Sequence, residues 1–481
     1  MLRDLAGLEL SKIMTRRDTG TPPPLERHST LDRILEHDAV AALLLLSAAV
    51  AAFGAANASW VMGGAPLSEW YAALWQLPLG FSLHHLALEK PLQLWINDGL
   101  MAIFFFVVGL EIKRELLAGE LSSVRRAVLP FAAALGGMIA PALIYAVLNA
   151  SAGSVKGWGI PMATDIAFAA GVLGLLRSRV PNALAVFLLA LAIVDDLGSV
   201  LVIAAFYTES IDRGPLFVGL GLILLSAGLA RYGIRHTLVY LVLFLLIWLE
   251  FFHSGIHATV AGVLFAFTVP VNATYDTPLF VSRLRTLLGR FDAAEDHAHP
   301  RLVNARQQQL LRAIETECVH VEAPLQRIEN KLHVYVALFI MPLFACANSG
   351  VKVELDQFTV MMRSPVTLGV LFGLVLGKQA GVLGGAWLAV RLGLAELPAG
   401  TQWRQMYALS WLAGIGFTMS LFVAELAFGG DAHDLGRSVP SPALAEAKLG
   451  ILLASLIAGS IGAVLLRLVS PRKGPELEPG I

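Results

Sequence analysis

FLLALAIVDDLGSV, residues 187 to 200, sets two adjacent aspartates, Asp195 and Asp196, inside an apolar run from about Ala183 to Tyr207. A run of that length crosses the hydrocarbon core of a bilayer, which takes about 20 mostly apolar residues. Charge in such a place is costly, and an ionisable residue within a span is a functional candidate by default. The doublet thus points to both the fold class and the place to look for chemistry.

The rest of the 481-residue chain agrees. It is 56% hydrophobic and 15% charged, with a mean hydropathy of +0.69, whereas soluble domains carry roughly 25% charged residues. This is the composition of an all-α polytopic membrane protein embedded in the lipid bilayer. The net charge of -1 gives no reason to expect a nucleic-acid partner. Cys346 lies in an apolar span and Cys318 in a polar loop. Neither has metal-ligand spacing, so no disulfide framework, zinc site or other cofactor is expected. The first 36 residues are polar, with Pro and Arg, longer than the charged start of a secretory signal, so no cleaved signal peptide is expected.

About twelve spans are expected, centred near Ser47, Phe105, Gly137, Phe168, Ile193, Leu222, Val242, Val263, Phe339, Leu374, Gly416 and Ala454. Basic residues orient them. Arg16, Arg17, Arg27 and Arg33 precede the first span, and Lys113, Arg114, Arg125 and Arg126 recur in the next loop on that side. Arg177 and Arg179, Arg231 and Arg235, and six arginines between Arg283 and Arg312 follow, while the opposite loops hold mostly one each, such as Lys156 and Arg213. The positive-inside bias puts both termini in the cytoplasm, which an even number of spans requires. The domain plan is therefore a cytoplasmic tail, 1–36, a membrane-spanning domain, 37–467, and a cytoplasmic tail, 468–481. Within it, an external segment covers 58–94 and a polar cytoplasmic loop 271–326. LGFSLHHLALEKPLQL alternates like a strand pair and suggests a small external β-hairpin. RQQQLLRAIETECVHVEAPLQRIENKL reads as one amphipathic helix leading into the ninth span.

Spans three to five and ten to twelve look like two related triples. The middle member of each is interrupted, by GIPMATDIAFAAGVLG at 159–174 and by LAGIGFTMS at 412–420. The structural alternative is that Gly and Pro are common in membrane helices anyway.

Four charges lie deep in spans: Asp165, Asp195, Asp196 and Lys378. Adjacent helical residues point about 100° apart, so Asp195 and Asp196 should have different partners. Lys378 is the natural counter-charge if span five packs near span ten. Asp165 and Lys378 have a second, structural role open to them: broken helices expose amide and carbonyl ends, and an acid and a lysine offset those partial charges. Burial disfavours the charged form of either kind of group, bringing proton exchange toward neutral pH. A hard cation such as Na⁺ or Li⁺ prefers oxygen ligands. Carboxylates supply them, and Thr164, beside Asp165, adds another. Cation and proton then compete for one site, and a site facing one side at a time gives antiport.

These residues and their surroundings resemble the NhaA family of bacterial sodium/proton antiporters. The likeness runs through WINDGLMAIFFFVVGLEIKREL (95–116), PMATDIAFAAGVLGLL (161–176), FLLALAIVDDLGSV, HSGIHATVAGV (253–263), MPLFACANSGV (341–351), GLVLGKQAG (373–381) and GIGFTMSLFVAELAF (414–428), from about residue 37 to 467. It implies twelve spans with inverted repeats and crossed, broken fourth and eleventh helices, an arrangement for which this family is a standard example. It implies electrogenic, pH-regulated exchange of cytoplasmic Na⁺ or Li⁺ for external protons across the bacterial inner membrane, and a homodimer with its hairpins in contact. Asp196 matches the principal cation-binding aspartate and Asp195 the salt-bridge partner of Lys378. Thr164 and Asp165 match the unwound part of the fourth helix. Glu111, Arg114, Glu115 and Glu329 match a cytoplasmic pH-responsive cluster, and His257 a histidine linked to that response. For the first three, an i, i+3, i+4 salt-bridge row is the structural alternative, and for His257 a satisfied packing role. The chain departs from relatives at Asn330 and His253, and its 271–326 loop is longer than in compact relatives.

Other classes fit less well. An intramembrane aspartyl protease needs two acids on different helices without an intervening lysine. A channel would show acidic rings from several identical subunits. A cation-coupled symporter needs polar room for an organic ligand. Not an enzyme but a secondary transporter is the reading the residues favour.

Overall fold

The computed structural model describes residues 30–62, 65–83, 86–177, 179–208, 211–233, 237–271, 277–294, 305–429 and 441–470. The tails expected at 1–36 and 468–481 fall mostly outside these residues.

Helices dominate. Among the described residues nine are long and apolar enough to cross a membrane, ten if one bent pair is a single span. They are α1 (Thr30–Asn57, apolar from Ala39), α3 (Leu92–Ala118), α4 (Val124–Asn149), the Val155–Leu175 span, α6 (Asn182–Phe206), α7 (Arg213–Arg231), α12 (Pro324–Asn348), α14 (Pro365–Arg391) and α17 (Pro442–Val469). The bent pair is α15 (Trp403–Ala413) and α16 (Phe417–Phe428), at 44°. The eighth expected span contracts to the nine-residue α9 (Ala258–Ala266), preceded by α8 (Thr237–Ser254). Between α1 and α3 lie α2 (Leu67–Trp75) and the expected hairpin, in which β3 (Pro78–Leu83) pairs antiparallel with β4 (Leu86–Pro91). An unforeseen two-residue pair, β1 (Val61–Met62) with β2 (Ala65–Pro66), precedes α2.

The described residues of the loop at 271–326 are more helical than its polarity suggested. It holds α10 (Thr277–Asp292) and α11 (Ala305–Val321), linked by an Arg283–Glu317 ion pair at 3.3 Å. The single helix expected to lead into the ninth span is in fact two. Pro324 disfavours helical geometry for the residue before it. Ala323 is accordingly extended, at φ -63° and ψ 131°, between α11 and α12.

Small residues set the helix spacing around the site. A Cβ on Gly136 of α4 would stand 2.1 Å from the Gly381 carbonyl oxygen of α14, and one on Gly381 would stand 2.0 Å from the Gly136 oxygen. Gly385 faces the Ala132 oxygen in the same way. In lipid no hydrophobic force drives helix association, so close backbone approach through small residues contributes much of the attraction. This seam carries Lys378: a Cβ on Gly137 would lie 3.7 Å from the lysine's Cδ and Cε. Just before Lys378, residues Gly373–Gly377 widen into a π-helical turn, a form that often accompanies functional positions.

Candidate cation-binding site

Two interrupted helices meet at the centre. The first runs as a 3₁₀ segment, Val155–Met162, breaks, and resumes as α5 (Ile166–Leu175). The second breaks between α15 and α16. The breaks hold each other: the Asp165 amide donates to the Ile415 carbonyl at 2.7 Å, and the Ser420 hydroxyl to the Ile160 carbonyl at 2.8 Å.

A helix start leaves amide donors without partners. Asp165 answers this for both half-helices. Its Oδ1 accepts from the Phe168 amide of α5 at 3.0 Å. Its Oδ2 accepts from the Thr418 amide of α16 at 3.0 Å and from the Thr418 hydroxyl. One carboxylate therefore caps two helix N-termini, each of which carries partial positive charge. The opposite ends receive opposite chemistry. Lys378 donates to the Met162 carbonyl at the end of the 3₁₀ segment. Thr164 Oγ1 lies 2.9 Å from the Ala413 carbonyl at the end of α15.

Lys378 also pairs with Asp195, and both side chains are fully buried. Thr164 Oγ1 stands 2.6 Å from the same Asp195 oxygen, Oδ2. A hydroxyl has one proton to give, so Thr164 serves either Asp195 or Ala413 at a given moment. The other Asp195 oxygen, Oδ1, is buried and has no hydrogen-bond partner among the described residues. Asp196 differs altogether. It is 1% exposed, and neither of its oxygens has a hydrogen-bond partner among the described residues. Ser199, one turn further along α6, likewise keeps a buried, unpartnered hydroxyl. Buried polar groups are nearly always satisfied. Here four oxygens on one turn of one helix are not, beside an ion pair.

Thus Asp165, Thr164, Asp195, Asp196 and Lys378 come together, but only Asp195 of the neighbouring aspartates has a partner, while Asp196 has none among the described residues. Arg114, Glu115 and Glu329 form a separate group. The Arg114 guanidinium reaches Glu329 across to α12 at 2.9 Å and Glu115 along its own helix at 3.2 Å. Glu111, half-buried, lies one turn back on the same helix. His257 is not with them. It precedes α9, which runs parallel to α3 with Gly262 against Ala102 and Ala266 against Gly109. His257 is therefore at the other end of that pair, its Nε2 2.9 Å from the Tyr207 carbonyl. Lys113, not anticipated, donates to the Phe267 and Val269 carbonyls beyond the end of α9, at 2.7 and 2.6 Å.

Sequence reading missed Thr418, Ser199 and an outlying polar group. Thr418 stands in the GIGFTMS break, which was its available signal. Ser199 is three residues from Asp196, and serine within a span is too common to stand out. The outlying group consists of Glu425, Lys448, Gln93, Asn97 and Asn348, scattered over four spans, and nothing in their spacing joins them.

Comparison with known proteins follows the same lines. A sodium/proton antiporter family, described as Na⁺/H⁺ antiporter 1, matches residues 32–466. The chain is 45% identical to a protein named Na⁺/H⁺ antiporter NhaA 1 from Saccharophagus degradans over 92% of each chain. It is 44% identical to Na⁺/H⁺ antiporter NhaA from Oleidesulfovibrio alaskensis over 95% of this chain and 97% of that one. The corresponding antiporter of Acidithiobacillus ferrooxidans is also 44% identical, over 93% and 99%. With the two hydrogen-bonded breaks, the capping aspartate and the buried Asp–Lys pair in place, this coverage assigns the chain to the Na⁺/H⁺ antiporter 1 family of membrane transporters.

Proposed function

We propose that the protein exchanges cytoplasmic Na⁺ or Li⁺ for external protons, electrogenically and under pH control, in the bacterial inner membrane. The observation that carries this reading is Asp196, whose two oxygens are buried and without a hydrogen-bond partner among the described residues, one residue from an aspartate held by a buried lysine. A desolvated carboxylate without a partner is stable only as the acid or with a cation bound. Either occupant excludes the other. Oδ1 of Asp195 and Oγ of Ser199 complete an all-oxygen set suited to a hard cation.

Electrogenic exchange requires more protons than cations. The Asp195–Lys378 pair supplies a second titrating element. A cation that draws Asp195 toward itself leaves the lysine without its partner, so the lysine gives up its proton. One cation binds, one proton leaves Asp196 and one leaves Lys378. When the cation departs, both protons return. Thr164 follows the same switch, its hydroxyl turning between Asp195 and Ala413. Asp165 stays with the helix ends it caps.

The remaining expectations complete the proposal. Twelve spans in two inverted triples place the two breaks near the membrane midplane, both termini in the cytoplasm and the β3–β4 hairpin outside, where it joins two copies as a homodimer. The cluster of Glu111, Arg114, Glu115 and Glu329 lies at the cytoplasmic end of α3 and responds to pH there. His257, tied to Tyr207 at the far end of the α3–α9 pair, acts in that response only through packing.

Everted vesicles holding a pH gradient provide the test. Addition of Na⁺ or Li⁺ is expected to dissipate the gradient, followed by a pH-sensitive dye. No dissipation at any pH between about 6.5 and 9, in vesicles shown to contain the oriented protein, would overturn the reading.

A further inference from the structure

A second buried acid–lysine pair lies away from the site. Glu425 of α16 and Lys448 of α17 meet at 2.6 Å, with side chains 12% and 10% exposed. The Gln93 amide nitrogen lies 3.2 Å from the same Glu425 oxygen and 3.1 Å from Asn348 Oδ1. Asn348 and Asn97 exchange hydrogen bonds at 2.8 and 3.3 Å, and both are buried. Glu425, Gln93, Asn348 and Asn97 thereby bring four side-chain carbonyl or carboxylate groups into one network, with a single net charge offset by one lysine. Gln93 follows β4 by two residues, and Trp95 donates to the Leu79 carbonyl of the hairpin at 2.8 Å. The network thus adjoins the base of the β3–β4 hairpin.

Its position relative to the central site is defined by α16. Glu425 is seven residues beyond Thr418, which holds Asp165. Seven residues are about 10.5 Å of helical rise and return to within about 20° of the same face. Between the two levels stands Phe422, its ring centroid 5.4 Å from that of Phe105 and 6.3 Å from that of Phe344. All three rings are fully buried. Two polar levels on one helix face are thus separated by an aromatic layer.

We propose that Glu425, with the side-chain oxygens of Gln93, Asn348 and Asn97, is a second cation-binding site, on the external side of the aromatic layer, for the same hard monovalent cation, and that Lys448 is its built-in competitor. The proposal rests on the antiport reading and its orientation. The lysine occupies Glu425 while the phenylalanines are closed, as Lys378 occupies Asp195. When the rings part, a cation leaving Asp196 meets an oxygen set of matching hardness, and return of the Lys448 ammonium releases it outward.

The test compares the two faces of the reconstituted full-length protein, by half-saturating Na⁺ in right-side-out and in everted proteoliposomes. Loss of a ligand carboxylate in Glu425→Gln is expected to raise the ratio of external to cytoplasmic half-saturation by about tenfold, and removal of the competitor in Lys448→Met to lower it. Opposite signs are the discriminating result, because a purely structural ion pair moves both variants the same way. Glu425→Asp should return the ratio toward its starting value. If Glu425→Gln does not fold, Asn348→Ala and Gln93→Leu carry the same expectation of a raised ratio. An unchanged ratio, or shifts of the same sign, overturns the site. Failure of the antiport reading itself would look different, as no exchange from either face of the unaltered chain.

Discussion

Lys378 of α14 holds Asp195 of α6 and the Met162 carbonyl with one ammonium group, so a single lysine ties the proposed ion site to the end of a broken helix. Both partners are fully buried. Removing one member of such a pair strands a charge, which costs about 3–5 kcal/mol, whereas replacing both can be nearly neutral. Lys378→Met is therefore expected to lower the unfolding temperature in detergent sharply, and the double variant with Asp195→Asn to recover most of the loss. Additive losses in the double variant would show that the pair is not energetically coupled.

The two aspartates should separate functionally. Asp196→Asn removes the only carboxylate among the pair without a fixed partner and is expected to abolish exchange. Asp195→Asn should leave part of it, since its charge is largely committed to Lys378. Equal residual activity in the two would contradict this division.

The competition proposed at Asp196 implies a pH dependence. If one proton leaves that carboxylate for each cation bound, half-saturating Na⁺ should rise as pH falls, approaching about tenfold per pH unit in the acid limb. Half-saturation that stays flat as exchange declines with acid would place the proton elsewhere.

How much of this was legible beforehand depended on whether a signal was local. The adjacent acids and one lysine deep in a span are visible in the string, and helical azimuth alone separates the acids. The breaks show as Gly, Pro and Thr within apolar runs. Lys448, by contrast, sits six residues inside α17, where it resembles an ordinary charge near a helix end. Its meaning depends on Glu425, which arrives from another helix. The same holds for α10: TPLFVSRLRTLLGRFD repeats with a helical period, yet its arginines made it read as loop.

Asp165 predicts a stability effect more than an affinity effect. Loss of an N-cap costs about 0.5–2 kcal/mol per helix, and this side chain caps two. Asp165→Ala is expected to destabilise the protein by about twice a single cap, measured by thermal unfolding, with Asp165→Asn intermediate. A large rise in half-saturating Na⁺ with no thermal change would instead make Asp165 a direct ligand.

The seam between α4 and α14 should tolerate no side chain. Gly381→Val would drive Cβ into the Gly136 carbonyl, and loss of monodisperse protein is the expected outcome. Gly384, on the same helix, has open space where its Cβ would stand, with nothing within 4 Å. Gly384→Ala therefore serves as the control and should behave as the parent chain.

The shared cap also constrains motion. Asp165 satisfies the starts of α5 and α16 together, so pulling the two breaks apart would leave two helix ends bare in a medium with no water to solvate them. On the antiport reading proposed above, the two breaks therefore stay joined while the helices around them rearrange, and it is the walls of the site rather than its centre that change sides.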